Sequence, residues 1–414
     1  MAQNLTNYAA ILKEYYNPDR VAKMILASSP FLAMLPKKQI FGESWELPVI
    51  YAGTAGRSSS FSTALTNKGQ TVSTKFQITT NPDYSLASLT RILMLASRNN
   101  MGAFLPAAKV NIDDAMMQLR RSIAINAFRD GSGARGRIST ITGSNLIITL
   151  TERADIVNFQ VSDVIQLSAT KTGGAVRTGT VSIVAVNRSA GTFTVNTDIT
   201  AAISGATTSD YIYQEGDYDA VLKGLGAWVP QSAPGATSFF GVNRSLDTDM
   251  LGGVRYDGSG MLRYEALIQG QSEIAMIGDG RPTHAFCNPI DFRQVVMELE
   301  AQVRRPRPVD ITLPVRKDSN ATVGFVGIAI EGDAGTIQLF SDRFCEPGVC
   351  YVLQLDDWKL AHIGPELVDI VGRDSDEGML VETSSDGYEV RVASYPQLAC
   401  AAPGHSGVVY NWGA

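Results

Sequence analysis

The residues best suited to chemistry in this 414-residue chain are few and widely spaced. The cysteines form no C-x-x-C pair, so a zinc site would have to be assembled from residues far apart in the sequence. The plainer interpretation is that the cysteines are small apolar core residues in a reducing compartment. We therefore predict no metal and no cofactor. The residues concerned are His284, His362 and His405, and Cys287, Cys345, Cys350 and Cys400.

The sequence motifs that identify common enzyme families are also missing. The sequence has no G-x-S-x-G nucleophile elbow, no G-x-x-x-x-G-K phosphate loop, no H-E-x-x-H, and no G-x-G-x-x-G between a strand and a helix. Two acidic pairs occur, Asp113-Asp114 and Asp356-Asp357, but adjacent side chains point apart on a helix and to opposite faces on a strand. We expect no catalytic residues and therefore no enzyme.

Composition excludes further classes of function. The net charge is -6, from 35 basic and 41 acidic residues, so no global basic field exists to hold DNA or an anionic membrane. Mean hydropathy is +0.01, and no run reaches the roughly 18 apolar residues needed to cross a bilayer. The N-terminus lacks the pattern of a secretory signal. These features predict a soluble protein that is not exported by that route.

Residues 101–131 carry the strongest helical pattern. Apolar residues recur in steps of three and four, and Gly131 lies where a helix commonly ends in the left-handed conformation. The opposite side is polar and includes Arg120 and Arg121, which suits water or a neighbouring chain. The pattern predicts one long helix that acts as a structural strut. Its predicted buried stripe is Leu105, Ala108, Ile112, Ala115, Leu119, Ile123 and Ala127.

Two segments before this helix lack enough apolar surface for a core. Residues 1–36 read as two short helices, an arm that lies across its own domain or an adjacent subunit. Residues 45–51 and 72–79 read as strands flanking a Gly, Ser and Thr-rich stretch whose only large apolar residues are Phe61 and Leu65. An isolated two-stranded hairpin is marginal in water. The hairpin is either a flexible surface loop or, better matched to its long strands, an extension that reaches onto another subunit.

Residues 137–214 differ in composition from the rest, being rich in Val, Ile, Thr and Ser with turn glycines. Strands predicted at 164–167, 179–186 and 192–195 indicate a small antiparallel barrel inserted into a host domain. Barrels of the oligonucleotide-binding type use aromatic and basic residues, which are sparse here. A structural decoration is the favoured interpretation over nucleic-acid binding.

The remainder alternates helices and strands. Helices are predicted at 262–278 and 290–299, and strands at 283–288, 324–330, 336–340, 350–355 and 388–393. The concentrated basic run is Arg304-Arg305-Pro306-Arg307-Pro308, which the prolines hold extended. It is either a solvated loop or a contact to acidic groups on an adjacent chain.

The order of these pieces resembles the major capsid proteins of tailed bacteriophages, whose fold is shared with encapsulins. The resemblance rests on the order arm, hairpin and long helix, and on three stretches: GDYDAVLKGLGAW, THAFCNPIDFRQV and FSDRFCEPGVCYVLQLDDWKL. It implies an α+β major capsid fold with an inserted small β-barrel domain. The implied units are an N-terminal arm (1–40), an extended hairpin (41–82), a peripheral domain with a spine helix (83–136), the barrel (137–214), an axial domain (215–355) and return strands (356–414).

The resemblance also implies a function. The chain would be a coat protein that forms an icosahedral shell of pentamers and hexamers around the double-stranded DNA genome of a tailed phage, in the host cytoplasm. Its implied partners are other copies of itself, a separate scaffolding protein, a portal and a decoration protein. The alternatives are an encapsulin nanocompartment holding cargo enzymes, and a secreted β-rich adhesin that fits the barrel but not the long helix.

The candidate subunit-interface residues come from the hairpin, from the polar side of the long helix and from the basic run. Some relatives join subunits through a Lys to Asn isopeptide bond from the hairpin, for which Lys68 and Lys75 are the candidates, although no partner asparagine is recognisable. The full predicted set is Trp45, Phe61, Lys68, Lys75, Arg120, Arg121, Arg304, Arg305 and Arg307.

Overall fold

A computed structural model describes residues 29–90, 101–301, 307–316, 319–364, 367–371, 380–381 and 386–413 of the chain. The two helices predicted within residues 1–28, and the predicted interface residues Arg304 and Arg305, lie outside the described residues.

The N-terminal part of the described chain contains the predicted hairpin and the predicted long helix. The hairpin strands lie within one residue of the predicted bounds, but the short helix between them was not predicted. In chain order the elements are α1 (Pro30–Met34), β1 (Lys37–Ile40), β2 (Trp45–Ala52), α2 (Phe61–Thr66), β3 (Val72–Ile78), β4 (Asp83–Thr90) and α3 (Met101–Phe128).

The spine helix α3 ends at Phe128, and Gly131 follows with a φ of +84°. The predicted stripe is buried at Ala115, Leu119, Ile123 and Ala127, but the last two turns are enclosed on every side. The enclosure requires glycine at 224, where an added Cβ would lie 2.2 Å from the Asn126 carbonyl oxygen. The glycines of the GDYDAVLKGLGAW stretch therefore let that segment pass directly against the helix backbone.

The inserted segment forms a closed six-stranded barrel, as predicted. The strand order around it is β10-β5-β6-β9-β8-β7, and its own core is built from Ile, Leu, Val and Phe side chains. The elements are β5 (Gly136–Thr142), β6 (Ile147–Leu150), a 3-10 helix (Arg153–Asn158), β7 (Val164–Ser168), β8 (Val181–Asn187), β9 (Thr192–Val195), α4 (Ile199–Ala202) and β10 (Tyr211–Gln214).

The chain then builds most of a mixed sheet with two helices packed on it. The elements are α5 (Leu225–Trp228), β11 (Ser238–Phe239), β12 (Val242–Asn243), β13 (Val254–Asp257), α6 (Arg263–Gly278), β14 (His284–Cys287), α7 (Pro289–Ala301), β15 (Arg307–Arg316), β16 (Ser319–Gly332), β17 (Gly335–Ser341) and β18 (Cys350–Leu353).

The C-terminal strands pair with the N-terminal strands β1 and β4 and also enter the seven-stranded sheet. They are β19 (Trp358–Ile363), β20 (Asp369–Val371), β21 (Leu380–Val381), β22 (Gly387–Ser394), β23 (Pro396–Cys400) and β24 (Gly407–Tyr410). β22 pairs with β4 beside the spine helix, β19 lies between β1 and β23, and β24 enters the seven-stranded sheet, whose order is β13-β24-β18-β14-β17-β16-β15.

The seven-stranded sheet separates two apolar cores. Along β14, Ala285 and Cys287 face the core under α6 and α7, whereas Phe286 faces the core that contains the spine helix. The same alternation occurs in β18, where Cys350 and Tyr351 lie on opposite sides. Because successive side chains of a strand point to opposite faces, burial on both faces requires the nearly continuous apolar runs seen here.

Part of the predicted arm is built into the main core. Phe31 is fully buried, with its ring 5.4 Å from that of Phe128 and 5.3 Å from that of Phe286. The Ser29 hydroxyl donates a hydrogen bond to the buried carboxylate of Asp342. The sequence left two alternatives for the arm, which could lie across its own domain or across an adjacent subunit. Residues 29–35 pack into the core of their own chain.

The basic run differs from its predicted loop. Arg307 and Pro308 are extended, as predicted, but they open β15, the edge strand of the seven-stranded sheet. The sequence did not indicate a strand because prolines interrupt it. An edge strand accepts them, since its outward N–H groups have no partner strand.

Replacement of Phe31 by Ala should destabilise the folded chain by about 3–5 kcal/mol, since it leaves a cavity between the rings of Phe128 and Phe286. The measurement is denaturant unfolding. Phe41→Ala is the matched control, because Phe41 is 82% exposed and its loss should cost little. Equal effects of the two substitutions would contradict the placement of the arm segment.

Burial raises the pKa of Asp342 to about 6, although Ser29 and the Phe344 N–H donate hydrogen bonds to the carboxylate. The folded state therefore binds this proton more tightly than the unfolded state. Above about pH 6 the buried carboxyl group of Asp342 is ionised, which destabilises the folded state. This cost disappears as the pH falls to about 4, so the group favours the folded state at lower pH.

Asp342→Asn should remove that pH dependence. The difference in unfolding free energy between wild type and variant should change by on the order of 2–3 kcal/mol between pH 7 and pH 4. Urea unfolding at several pH values measures how the free energy of unfolding changes with pH. A pH-independent effect of the substitution on stability does not alter this slope. Parallel wild-type and variant profiles would refute the assignment.

Candidate assembly surfaces

The hairpin of β2 and β3 is buried at its base and exposed towards its tip. Phe76 and Ile78, near the body, are fully buried, whereas Ile50 is 66% exposed, Leu65 53% and Phe61 82%. No residue of α2, the helix at the tip, is buried. A soluble chain rarely leaves several large apolar side chains together in water unless they meet a partner.

The base is held by aromatic contacts and a main-chain hydrogen bond. The Phe76 ring lies 5.1 Å from that of Trp228, and the Gln77 N–H donates to the Phe240 carbonyl at 2.8 Å. Trp228 is fixed in turn, because its indole N–H donates to the Leu398 carbonyl at 2.9 Å. The hairpin is thus anchored at its base, whereas the described residues provide no buried contact for the helix at its tip.

The tip, residues 53–71, combines apolar and cationic groups. Its two charged residues are Arg57 and Lys68, and it contains no acid. Phe61 and Leu65 are four residues apart on α2 and so lie on one face of that helix. Leu65 was absent from the predicted set of interface residues, although this spacing was visible in the sequence.

Two predicted residues nearer the base already have partners in their own chain. Trp45 is partly buried, and the Lys38 ammonium lies 4.0 Å above its ring. The Lys75 ammonium donates to the Glu46 carboxylate at 2.6 Å, which lowers the pKa of Glu46. Both members of that ion pair are about half exposed, so it contributes little to stability.

The two predicted arginines of the spine helix differ in their surroundings. Arg121 donates to the Gln160 side chain and, at 2.8 Å, to the Val157 carbonyl, both in the barrel segment. Burial lowers the pKa of Arg121 to about 10, so the side chain stays charged at neutral pH. Burial and the nearby Arg343 lower the pKa of Arg120. The predicted contacts of these residues with another subunit stay predictions, as does that of Arg307.

A buried ionic junction joins the spine helix, the barrel and the large sheet. The Arg129 guanidinium, 8% exposed, contacts Asp155 of the barrel at 2.6 Å and Glu346 of the β17–β18 connection. Burial opposes the charge, but Glu346 and Asp155 together raise the pKa of Arg129. Lys171 contacts Asp130 at 2.8 Å in the same region. Sequence reasoning missed this junction, because Glu346 lies 217 residues from Arg129.

The histidines and cysteines are distributed as structural residues. All four cysteines are buried, and burial raises the pKa of each thiol. His405 contacts Asp357 at 2.8 Å. Within the described part of the chain, no group of three His, Cys, Asp or Glu residues is arranged to hold a metal ion. Among those same residues, no helix is both long and apolar enough to span a bilayer.

Arg129→Met should cost about 3–5 kcal/mol of stability, because it leaves two largely buried carboxylates without their cation. Denaturant unfolding measures the loss, and limited proteolysis at the barrel connections tests whether the barrel has come free. Arg153→Met is the control, since Arg153 is exposed. If the two variants unfold alike, the junction does not hold the domains together.

Comparison of sequences gives no relatives, because no protein-family model and no curated protein matches this chain. Comparison of structures, in contrast, finds similar proteins. The chain matches the subunit in the cyanophage A-1(L) capsid asymmetric unit with a TM-score of 0.53 and 13% identity, over 93% of both chains.

Weaker likenesses extend over similar lengths. A structure from Microbacterium phage Oxtober96 matches over 92% of this chain and 90% of its own, with a TM-score of 0.42 and 11% identity. The SrpI encapsulin complex of Synechococcus elongatus PCC 7942 matches 97% and 94% with a TM-score of 0.40 and 8% identity. Scores this low carry no argument by themselves. The cyanophage match, together with the anchored hairpin, spine helix and seven-stranded sheet, shows that this chain has the major capsid fold that its sequence resembles.

Proposed function

We propose that this chain is the major subunit of a closed protein shell, the capsid of a tailed bacteriophage. The observation that carries the proposal is the hairpin, whose base belongs to the subunit's core while its apolar tip has no core of its own. The fold of a cyanophage capsid subunit supports the same conclusion.

Assembly explains why the subunit exposes such a tip. Each copy buries its tip on a neighbour, so the apolar surface left in water by one chain is removed by the next. A closed shell repeats the contact in every subunit, so a few kcal/mol per contact is enough. Weak individual contacts also let misplaced subunits leave before the shell closes.

The contents of the shell are double-stranded DNA in this proposal. The net charge of -6 suits a container for DNA, because a strongly basic wall would bind phosphates through counterion release and hold the genome against it. The chain needs no sequence-specific contact with the DNA. Its role is structural and non-enzymatic, in keeping with the capsid proteins to which it is similar.

The remaining partners belong to the same proposal. Pentamers and hexamers build the shell in the host cytoplasm, a separate scaffolding protein and a portal guide assembly, and the inserted barrel offers a platform for a decoration protein. The described barrel exposes Val161 and Val184, at 53% and 50%. Its attachment through Arg129 gives it a fixed orientation on the subunit.

Replacement of both Phe61 and Leu65 by Ser should abolish or strongly reduce shell formation while leaving the subunit folded. These side chains contribute nothing to a buried core, so the thermal midpoint of the unassembled subunit should hardly change. Electron microscopy and sedimentation of purified protein, with and without co-expressed scaffold, measure the particles.

The matched control is the double variant Val161→Ser and Val184→Ser, which removes two exposed apolar side chains from the barrel. It should assemble normally. Closed particles from the tip variant would contradict the role of the hairpin. Particles that contain a cargo protein and no DNA would replace the phage capsid with an encapsulin-type compartment.

A further inference from the structure

Two cations lie against one pair of aromatic rings beside the base of the hairpin. The Arg244 guanidinium lies 3.9 Å from the centre of the Phe239 ring. The Lys223 ammonium lies 5.4 Å from the centre of the same ring and 4.7 Å from that of Phe240. The face of an aromatic ring attracts a cation, but it does not neutralise the charge. The two cations therefore share one small region of the molecule.

One edge of the Arg244 guanidinium has no partner among the described residues. The residue is only 8% exposed, and its Nη1 donates to the carbonyls of Ala227 and Trp228 at 2.8 and 3.1 Å. Its Nε is buried without a hydrogen bond, and its Nη2 donates to no group in the described part of the chain. Nε and Nη2 form the side-on edge with which arginine holds phosphate or carboxylate through two parallel hydrogen bonds.

No acid of the described chain forms an ion pair with either cation. The charge of Asp219 acts on Lys223, but its carboxylate already accepts a hydrogen bond from the Thr172 hydroxyl at 2.7 Å. Arg129, which is as deeply buried as Arg244, contacts two carboxylates. Because a buried cation is normally paired, the region around Arg244 lacks an anion.

The electrostatics of the two side chains agree with this deficit. Burial, and next the charge of Arg244, lower the pKa of Lys223. Burial and the nearby Arg255 lower the pKa of Arg244 to about 10. A bound anion would oppose both shifts, because it stabilises the charged form of each side chain.

We propose that Lys223 and Arg244 together bind one phosphate group, which accepts hydrogen bonds from the side-on edge of Arg244 and from the ammonium of Lys223. Phosphate suits this pair because its oxygens accept several charge-assisted hydrogen bonds at once. Free inorganic phosphate and a phosphodiester of DNA both present such oxygens. Both cations belong to one chain, so the site does not depend on the proposed shell.

The site joins the base of the hairpin to two other segments. Lys223 follows the barrel, and its carbonyl accepts a hydrogen bond from Gln397 at 3.1 Å. The Phe240 carbonyl accepts from the Gln77 N–H of β3 at 2.8 Å, and Arg244 begins the 3-10 helix that follows β12. A ligand that binds the folded arrangement stabilises it by mass action. Bound phosphate therefore holds these segments together and slows the opening of the hairpin base.

The first test is calorimetric titration of the purified chain with inorganic phosphate at constant ionic strength. Wild type should bind one phosphate per chain. Lys223→Met and Arg244→Lys should each weaken binding about ten-fold, because the first removes a cation and the second keeps the charge but loses the side-on edge. Lys223→Arg should retain most of the affinity.

Arg281→Met is the control for the titration. Arg281 is an exposed cation outside this pair, so its loss should leave the affinity for phosphate unchanged. Thermal unfolding in chloride confirms that each variant is folded. Without phosphate, Lys223→Met should be at least as stable as wild type, because it removes the repulsion between Lys223 and Arg244.

The second test follows the hairpin base by amide hydrogen exchange. Phosphate should slow exchange of the Gln77 N–H several-fold in the wild-type chain and should have no effect on it in Lys223→Met. A purely structural role of Lys223 would change the exchange rate of this amide equally with and without phosphate.

A short DNA duplex separates the two sources of phosphate. Duplex binding that inorganic phosphate displaces, and that Lys223→Met loses, would assign the site to DNA. Saturable binding of inorganic phosphate without binding of the duplex would assign it to the free anion. No saturable phosphate binding by wild type, or equal affinities of wild type, Lys223→Met and Arg244→Lys, would overturn the site and leave the proposed shell unaffected.

Discussion

The structure depends on one buried cation at the point where the spine helix, the barrel and the large sheet meet. Arg129 follows the last turn of the spine helix and lies between Asp155 of the barrel and Glu346 of the sheet. Removing a single member would leave a buried charge unpaired, which costs more than the intact group contributes. The ionic contacts therefore favour one relative position of helix, barrel and sheet, because a displaced barrel or sheet would leave the buried Arg129 without one of its partners.

The hairpin complements this rigidity. Its base shares a core with Trp228 and Phe239, so its direction is set by the body, whereas no residue of α2 at its tip is buried within the described part of the chain. The fold thus completes itself everywhere except at the surfaces that face outward. Within the described part of the chain, Phe61 and Leu65 therefore stay as exposed apolar side chains, a pattern typical of surfaces that meet a partner.

Most of the element order could be predicted from the sequence. The hairpin strands, the spine helix, three of the six barrel strands and the helix that ends at Gly278 follow from period-two and period-3.6 patterns and from turn residues, which are local properties of the chain. The helix α2 at the tip was not predicted, because a segment of six residues is too short to show a clear helical period. The strand β15 escaped because its prolines and charges oppose the pattern of a strand, although they suit the edge of a sheet.

Side-chain roles were less predictable. Phe61 and Lys68 could be assigned to an exposed tip because that stretch is rich in Gly, Ser and Thr and has only two large apolar residues. Nothing in the sequence indicated that Arg121 turns to Val157, that Arg129 joins Asp155 to Glu346, or that Asp83 and Glu215 line one polar groove. By itself, the sequence determined which segments can fold locally and which lack a core. Only the tertiary structure decided which charges are paired and which surfaces stay open, because burial and ion pairing depend on residues brought together from distant parts of the chain.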